Sequence, residues 1–202
     1  MSSAVLRITE SDTRGRIVDT AERFFREIGY QKTTVADIAK ALKMSPANVY
    51  RFFDSKKSIN EAVAERLIAE VEAQLEAIAT RPGSAAERLR QFIETCHHLC
   101  VVRFTGNQRM HEMVEVAMTE SWQVIHAHIE RMNALFERMV EDGVRSGEFS
   151  VPDPAVAARC AHIALVRYFH PMLMEQCVNE PTPTLPAMTD FVLAGLGYRA
   201  RV

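Results

Sequence analysis

Two helix-start signals stand eleven residues apart early in the chain, and they constrain its fold more than any other feature. Thr34 is followed three residues later by Asp37, a Thr-x-x-Asp variant of the capping box. Ser45 is followed at once by Pro46, an N-cap oxygen and then a first helical residue whose missing N–H costs nothing. Between them Val35, Ile38, Ala39 and Leu42 form an apolar stripe at helical spacing, which Lys43-Met44 interrupts. The second helix, roughly Pro46 to Phe53, is too short to stand alone and must be held by packing. With Val49 and Phe53 turned inward, Ala47, Asn48, Tyr50 and Arg51 are presented outward. The pattern over about 34–53 is a helix-turn-helix with an exposed second helix.

The rest of the chain carries helical periodicity and no strand pattern. Ile17, Ala21, Phe24, Phe25 and Ile28 define a first helix over about 13–28, stopped by Gly29, with Phe24, Phe25 and Ile28 expected in the core. Residues 1–10 read as a loose arm or short helical extension, and Arg7, Arg14 and Arg16 as a solvated end rather than groups tracking a DNA backbone. Asp54 and Ser55 can cap a long helix bearing Ile59, Val63, Leu67, Val71, Leu75 and Ile78, which ends at Arg81-Pro-Gly83. Ser84-Ala-Ala-Glu87 forms a capping box for the next helix. Further breaks are expected at Thr105-Gly106-Asn107, near Gly143 to Gly147, and at 179–184, with Asp153 and Pro154 opening a helix towards Gln176. The reading is all-α with about nine helices: a helix-turn-helix domain over 1–58 and a helical remainder over 59–202.

Net charge is only −2 over 202 residues, but it is unevenly spread. Residues 1–66 carry 12 Lys/Arg against 9 Asp/Glu, and the remainder is net −5. A modestly basic front joined to an acidic remainder fits phosphate contact at one end. Cys96, Cys100, Cys160 and Cys177 are too sparse for a disulfide framework, no apolar run suits a signal peptide, and the apolar stretch 156–178 holds Arg159, His162, Arg167 and His170. These features point to a cytoplasmic protein with reduced thiols.

The spaced residues Thr34…Ile38-Ala39…Ser45…Val49-Tyr50…Phe52-Phe53…Lys56, preceded by Ile17-Val-Asp-Thr-Ala-Glu-Arg-Phe-Phe-Arg-Glu-Ile-Gly-Tyr30, resemble the DNA-binding signature of the TetR (tetracycline-repressor) family of transcriptional regulators. The resemblance covers about the first third of the chain. It departs at Lys43, where many members have Gly; a lysine there takes a type I turn, or a left-handed conformation at roughly a kcal/mol. The resemblance implies phosphate contacts for Thr33, Thr34, Ser45, Tyr50 and Lys56. Lys56 stands in a first helical turn, where an anion would offset its unfavourable position. Chemistry alone lets Asn48 offer its amide to a base edge, Ala47 meet a thymine methyl, and Arg51 serve either role, from a helix opened by Pro46.

For the remainder, the resemblance implies a small-molecule pocket between helices from about 65 to 178. Helix face and side-chain type select Phe92, Cys96, Leu99, Phe104, Met110, Met113, Met118, Trp122, Ile125 and Tyr168 as its lining. Eight of ten methionines and all seven histidines lie beyond residue 95. The histidines match no zinc spacing, so satisfied or solvent-facing imidazoles are expected rather than a metal site, and no cofactor motif is present. Cys96 and Cys100, one helical turn apart, read as buried inert thiols before oxidant sensors. The apolar segments 155–177 and 186–198 are expected to pair with a second copy, with Ala157, Ala158, Ala161 and Ala164 allowing close approach, because one helix-turn-helix reads too few base pairs.

The functional expectation is a homodimeric, ligand-responsive repressor reading a palindromic operator, and not an enzyme. Its alternatives are a helical metal- or small-molecule-binding protein or enzyme that retains the N-terminal fold, and a dimeric regulator without a ligand.

Overall fold

The computed structural model describes residues 2–104, 108–176 and 179–198. Those residues form ten helices and no strand: α1 Ser2–Glu27, α2 Val35–Ala41, α3 Pro46–Tyr50, α4 Lys56–Thr80, α5 Ala85–Phe104, α6 Gln108–Glu120, α7 Trp122–Ser146, α8 Pro154–Phe169, α9 Pro171–Gln176 and α10 Leu185–Gly195. Two differences from the expected layout have local causes. Helix α1 is helical from Ser2 rather than from about residue 13. The segment expected to run unbroken towards Gln176 is cut at His170, extended at φ −90° and ψ 115° because the ring of Pro171 disfavours the helical region there. The expected break at 105–107 and Cys177 lie outside the described residues.

Two compact units emerge, and they do not follow a single cut of the chain: Met1–Leu67 with Gly106–Ile125, and Ile68–Thr105 with His126–Val202. Helix α6, expected in the remainder after residue 58, therefore belongs with the helix-turn-helix. The first unit is built on Ile17, Ala21, Phe25, Ile38, Val49, Ile59 and Val63, all buried. The Phe25 and Tyr30 rings meet edge to face at 5.3 Å. Of the three residues expected at the end of α1, Phe25 is buried, Phe24 is half-buried under Arg23, and Ile28 is exposed. Helix α6 contributes Met110, Met113 and Ala117 to this core. Arg109 donates to the Glu27 carbonyl at the end of α1, and Ser121 donates to Glu61 on α4 at 2.8 Å.

The second unit packs Leu75, Leu89, Phe92, Ile93, Phe136, Met139, Leu165 and Leu193 into one core, with Phe92 edge-on to Phe136 at 5.0 Å. Phe149 lies across Gly143, where a Cβ would stand 2.1 Å from the ring, so α7 admits only glycine there. The start of α5 departs from a local capping box. Ser84 Oγ accepts from the Glu87 amide at 3.3 Å, but the Ala85 and Ala86 amides donate instead to Glu148, 63 and 62 residues away in sequence, at 3.0 and 3.1 Å. With Ser84 and Ser146 hydroxyls also donating, the Glu148 carboxyl is drawn down to about 2 against the opposing effect of burial.

Candidate nucleic-acid interface

Helix α2 begins as its sequence requires. The Thr34 amide donates to Asp37 at 3.0 Å while the Asp37 amide donates to Thr34 Oγ1 at 3.1 Å, a closed capping box. Helix α2 ends in a Schellman motif: the Met44 amide donates to the Ala39 carbonyl at 3.0 Å and the Lys43 amide to the Lys40 carbonyl at 3.1 Å. That motif needs a left-handed residue, and Lys43 supplies it at φ +57°. Ser45 then caps α3, accepting from the Asn48 amide at 3.2 Å, with Pro46 in the first turn.

Helix α3 has five residues and leans on Val49, which is fully buried, with Phe53 sealed beyond its end. Arg14 on α1 lies over the Phe53 ring at 4.6 Å, a cation–π contact within the protein for a residue expected to be solvated. Ser45, Pro46, Ala47 and Arg51 are exposed, Tyr50 is 49% exposed, and Asn48 is half-buried with its amide 3.9 Å from Met44 Sδ. The outer side of α3 thus carries a methyl group, a phenol and a guanidinium, all open to a partner.

Two of the expected phosphate contacts have partners within the protein. Thr33 is fully buried, its hydroxyl donating to the Gly29 carbonyl at 2.8 Å, so it fastens the end of α1. Lys56 turns inward: its ammonium donates to the carbonyls of Tyr30, Gln31 and Thr33 at 3.0, 3.5 and 3.2 Å. Burial pulls that ammonium below its ordinary range, and the Glu120 carboxylate works against the fall. Lys56 ties the first turn of α4 to the chain between α1 and α2. Its neighbours there come from distant sequence, so spacing alone carried no signal of this role.

The expected pocket residues fall in both units. Phe92, Cys96 and Tyr168 are packed in the second unit's core, with Leu99 and Phe104 half-buried in that unit. Met110, Met113, Met118, Trp122 and Ile125 belong to the first unit, where Met110 and Met113 are core and Trp122 is 50% exposed. The Cys100 thiol donates to the Phe169 carbonyl at 2.9 Å, and the Cys96 thiol is held protonated by its hydrogen bond to Cys100 and by burial. Imidazoles are taken up by protein groups: His97 with the Tyr168 carbonyl at 2.9 Å, His128 with Glu72 at 2.7 Å, and His162 with Asn133 at 2.6 Å while stacked on Phe136. Glu72 also binds Arg131 at 2.7 Å.

The alanines of α8 face inward. Ala158 and Ala161 are buried in the unit's own core, and Ala157 and Ala164 pack against it. The outward face carries Val156, Cys160, Ile163 and Val166 instead. On α10 the matching outward group is Phe191.

A capped helix-turn-helix with an open second helix, attached to an all-helical remainder, defines a helical DNA-binding regulator. Residues 17–63 match the family of bacterial regulatory proteins described as the tetR family, and residues 85–187 match the tetracyclin repressor-like C-terminal domain. The chain belongs to the TetR family of transcriptional regulators. The biofilm operon icaADBC negative transcriptional regulator IcaR of Staphylococcus aureus is 48% identical over 48 residues, 24% of this chain and 26% of IcaR. The match thus spans about a quarter of that curated relative. A TetR/AcrR-family regulator from Thermobifida fusca has a similar fold, with TM-score 0.62 and 23% identity over 93% of this chain and 99% of that one. SmeT, the repressor of the Stenotrophomonas maltophilia multidrug efflux pump SmeDEF, matches at TM-score 0.64 and 21% identity over 91% and 88% of the two chains; it has also been solved with triclosan.

Proposed function

We propose that this regulator works as a homodimeric repressor in the cytoplasm, released from a palindromic operator by a small apolar effector. One observation carries the dimer: Val156, Ile163 and Val166 on α8 and Phe191 on α10 are 56, 71, 41 and 69% exposed, a concentration of large apolar groups on one unit. Burying such faces against a second copy removes apolar area worth about 25 cal/mol per Å². Two copies present two α3 helices, and a two-fold assembly matches a two-fold operator.

In each half-site α3 enters the major groove. Tyr50 and the Ser45 hydroxyl meet phosphates beside the Thr34 cap, Ala47 and Asn48 meet base edges beside Pro46, and Arg51 reaches either. The effector is held in the second unit by Cys96, Leu99, Phe104 and Tyr168, near the buried Phe92. That SmeT is a repressor and has been solved with triclosan supports both the sign of regulation and an effector. An effector acts only through its differential affinity for the operator-bound and released states.

Sedimentation, with and without an operator duplex selected from a random pool, tests the assembly. Two chains per duplex agree with the proposal; a monomer that binds DNA one chain at a time refutes it. A thermal-shift screen of small aromatic compounds, followed by operator release, tests the effector.

A further inference from the structure

The residue between the two helices of the DNA-reading motif is in a conformation that lysine avoids. Lys43 has φ +57°, where a β-carbon crowds the following carbonyl oxygen and glycine has none to crowd it. The Schellman motif holds it there through the Lys43 and Met44 amides, neither of which needs a side chain at this position. Backbone strain at an exposed residue calls for a compensating role, and the protein itself offers none. Lys43 is exposed, and its side chain makes no hydrogen bond or ion pair with any described residue.

Its charge environment points outward too. Residues 38–53 include Lys40, Lys43 and Arg51 and no Asp or Glu. The carboxylate of α2, Asp37, is already bound by the Thr34 amide and hydroxyl. Lys43 stands three residues before Pro46, so its Cα lies within about 11 Å of the start of α3. A recognition helix enters the major groove by its N-terminal end, and that groove is about 12 Å wide between flanking backbones. A lysine in the preceding turn is within reach of the groove's edge.

We propose that Lys43 is a phosphate contact: the left-handed turn carries its ammonium to the DNA backbone beside the groove that α3 enters. The lysine sacrifices local stability at the turn and returns affinity that depends on salt. This rests on α3 lying in the major groove, and the test separates the two.

Operator binding is followed by fluorescence anisotropy across a salt series, alongside thermal unfolding, for Lys43→Gly, Lys43→Asn and Lys43→Arg. Asparagine tolerates the left-handed region without the charge. The Gly and Asn variants are expected to flatten the plot of log affinity against log salt by about one unit per subunit, Arg to keep the wild-type slope, and Gly to unfold at a higher temperature. Wild-type slopes for Gly and Asn would overturn the proposal, as would a lower unfolding temperature for Gly. Tyr50→Ala is the control: if it weakens binding while the Lys43 variants do not, only the Lys43 contact falls. If none of them changes binding, the groove placement of α3 falls as well.

Discussion

The Lys56 ammonium lies 4.2 Å from the centre of the Tyr30 ring and 3.0 Å from the carbonyl oxygen of the same residue. One cation thus grips a buried aromatic by its face and by its backbone, and through the Thr33 carbonyl it reaches the residue before the α2 cap. The start of α4 and the start of α2 are fastened to the same turn. Any displacement of α4 in its first turn pulls on the base of the DNA-reading motif.

Lys56→Met keeps the aliphatic stem and removes all three donors. It is expected to lower stability by about 1–3 kcal/mol, since hydrogen bonds to a charged group are among the stronger ones and the carbonyls lose a partner. Urea unfolding measures the loss. The salt dependence of operator binding is expected to keep its slope, because the ammonium meets carbonyls rather than phosphates. A slope shallower by one unit per subunit would return Lys56 to the DNA backbone.

Tyr50 and Thr33 make an opposed pair. Tyr50→Ala removes a half-exposed ring, so unfolding should change by no more than about 0.5 kcal/mol while operator affinity falls. Thr33→Val removes a buried hydroxyl that donates to the Gly29 carbonyl, which keeps the Thr33 amide at 3.2 Å, so unfolding should weaken by about 1 kcal/mol with an unchanged salt slope.

Glu148 gives the second unit an acid-sensitive joint. Its folded value of about 2 lies below the ordinary carboxylate value of 4.5, so the native state holds its proton less tightly than the unfolded chain. The stabilisation is therefore complete above about pH 4.5 and fades as pH falls towards 2. Glu148→Gln should lower stability near pH 7 by about 1–2 kcal/mol, discounted for a group still reached by solvent. Denaturant melts of both proteins from pH 7 down to pH 3 should show that gap shrinking; a constant gap would remove the cap from the pH dependence.

Ile163→Glu places a charge at the most exposed large apolar position of α8. The isolated chain should fold with little loss, because that side chain supports no core of its own. Sedimentation should show the variant as a monomer, with operator affinity reduced at equal chain concentration. Unaltered dimers would move the interface elsewhere. Ala161→Glu is the contrast: Ala161 is buried, so its charge should unfold the unit itself.

Sequence by itself determined the local events: the caps at Thr34 and Ser45, the inward Val49 and Phe53, the outward Ala47, Tyr50 and Arg51, and the all-helical class. Caps and periodicity are written within a few residues, and a capping box is as visible in a string of letters as in three dimensions. Tertiary structure decided what lay between distant segments. Lys56 stands in a first helical turn, where an anion would offset its position, and the resemblance marks it for phosphate; only the fold brings the carbonyls of Tyr30 to Thr33 beside it. The alanines of α8 looked like an interface because small residues suit any close approach; only the position of the core showed that they face inward and that Val156 and Ile163 face out. Glu148 was silent for the same reason, since the helix start that it caps lies more than sixty residues before it. Hydrogen-bond partners and buried faces are set by which surfaces meet, and that is a property of the folded chain rather than of any window along it.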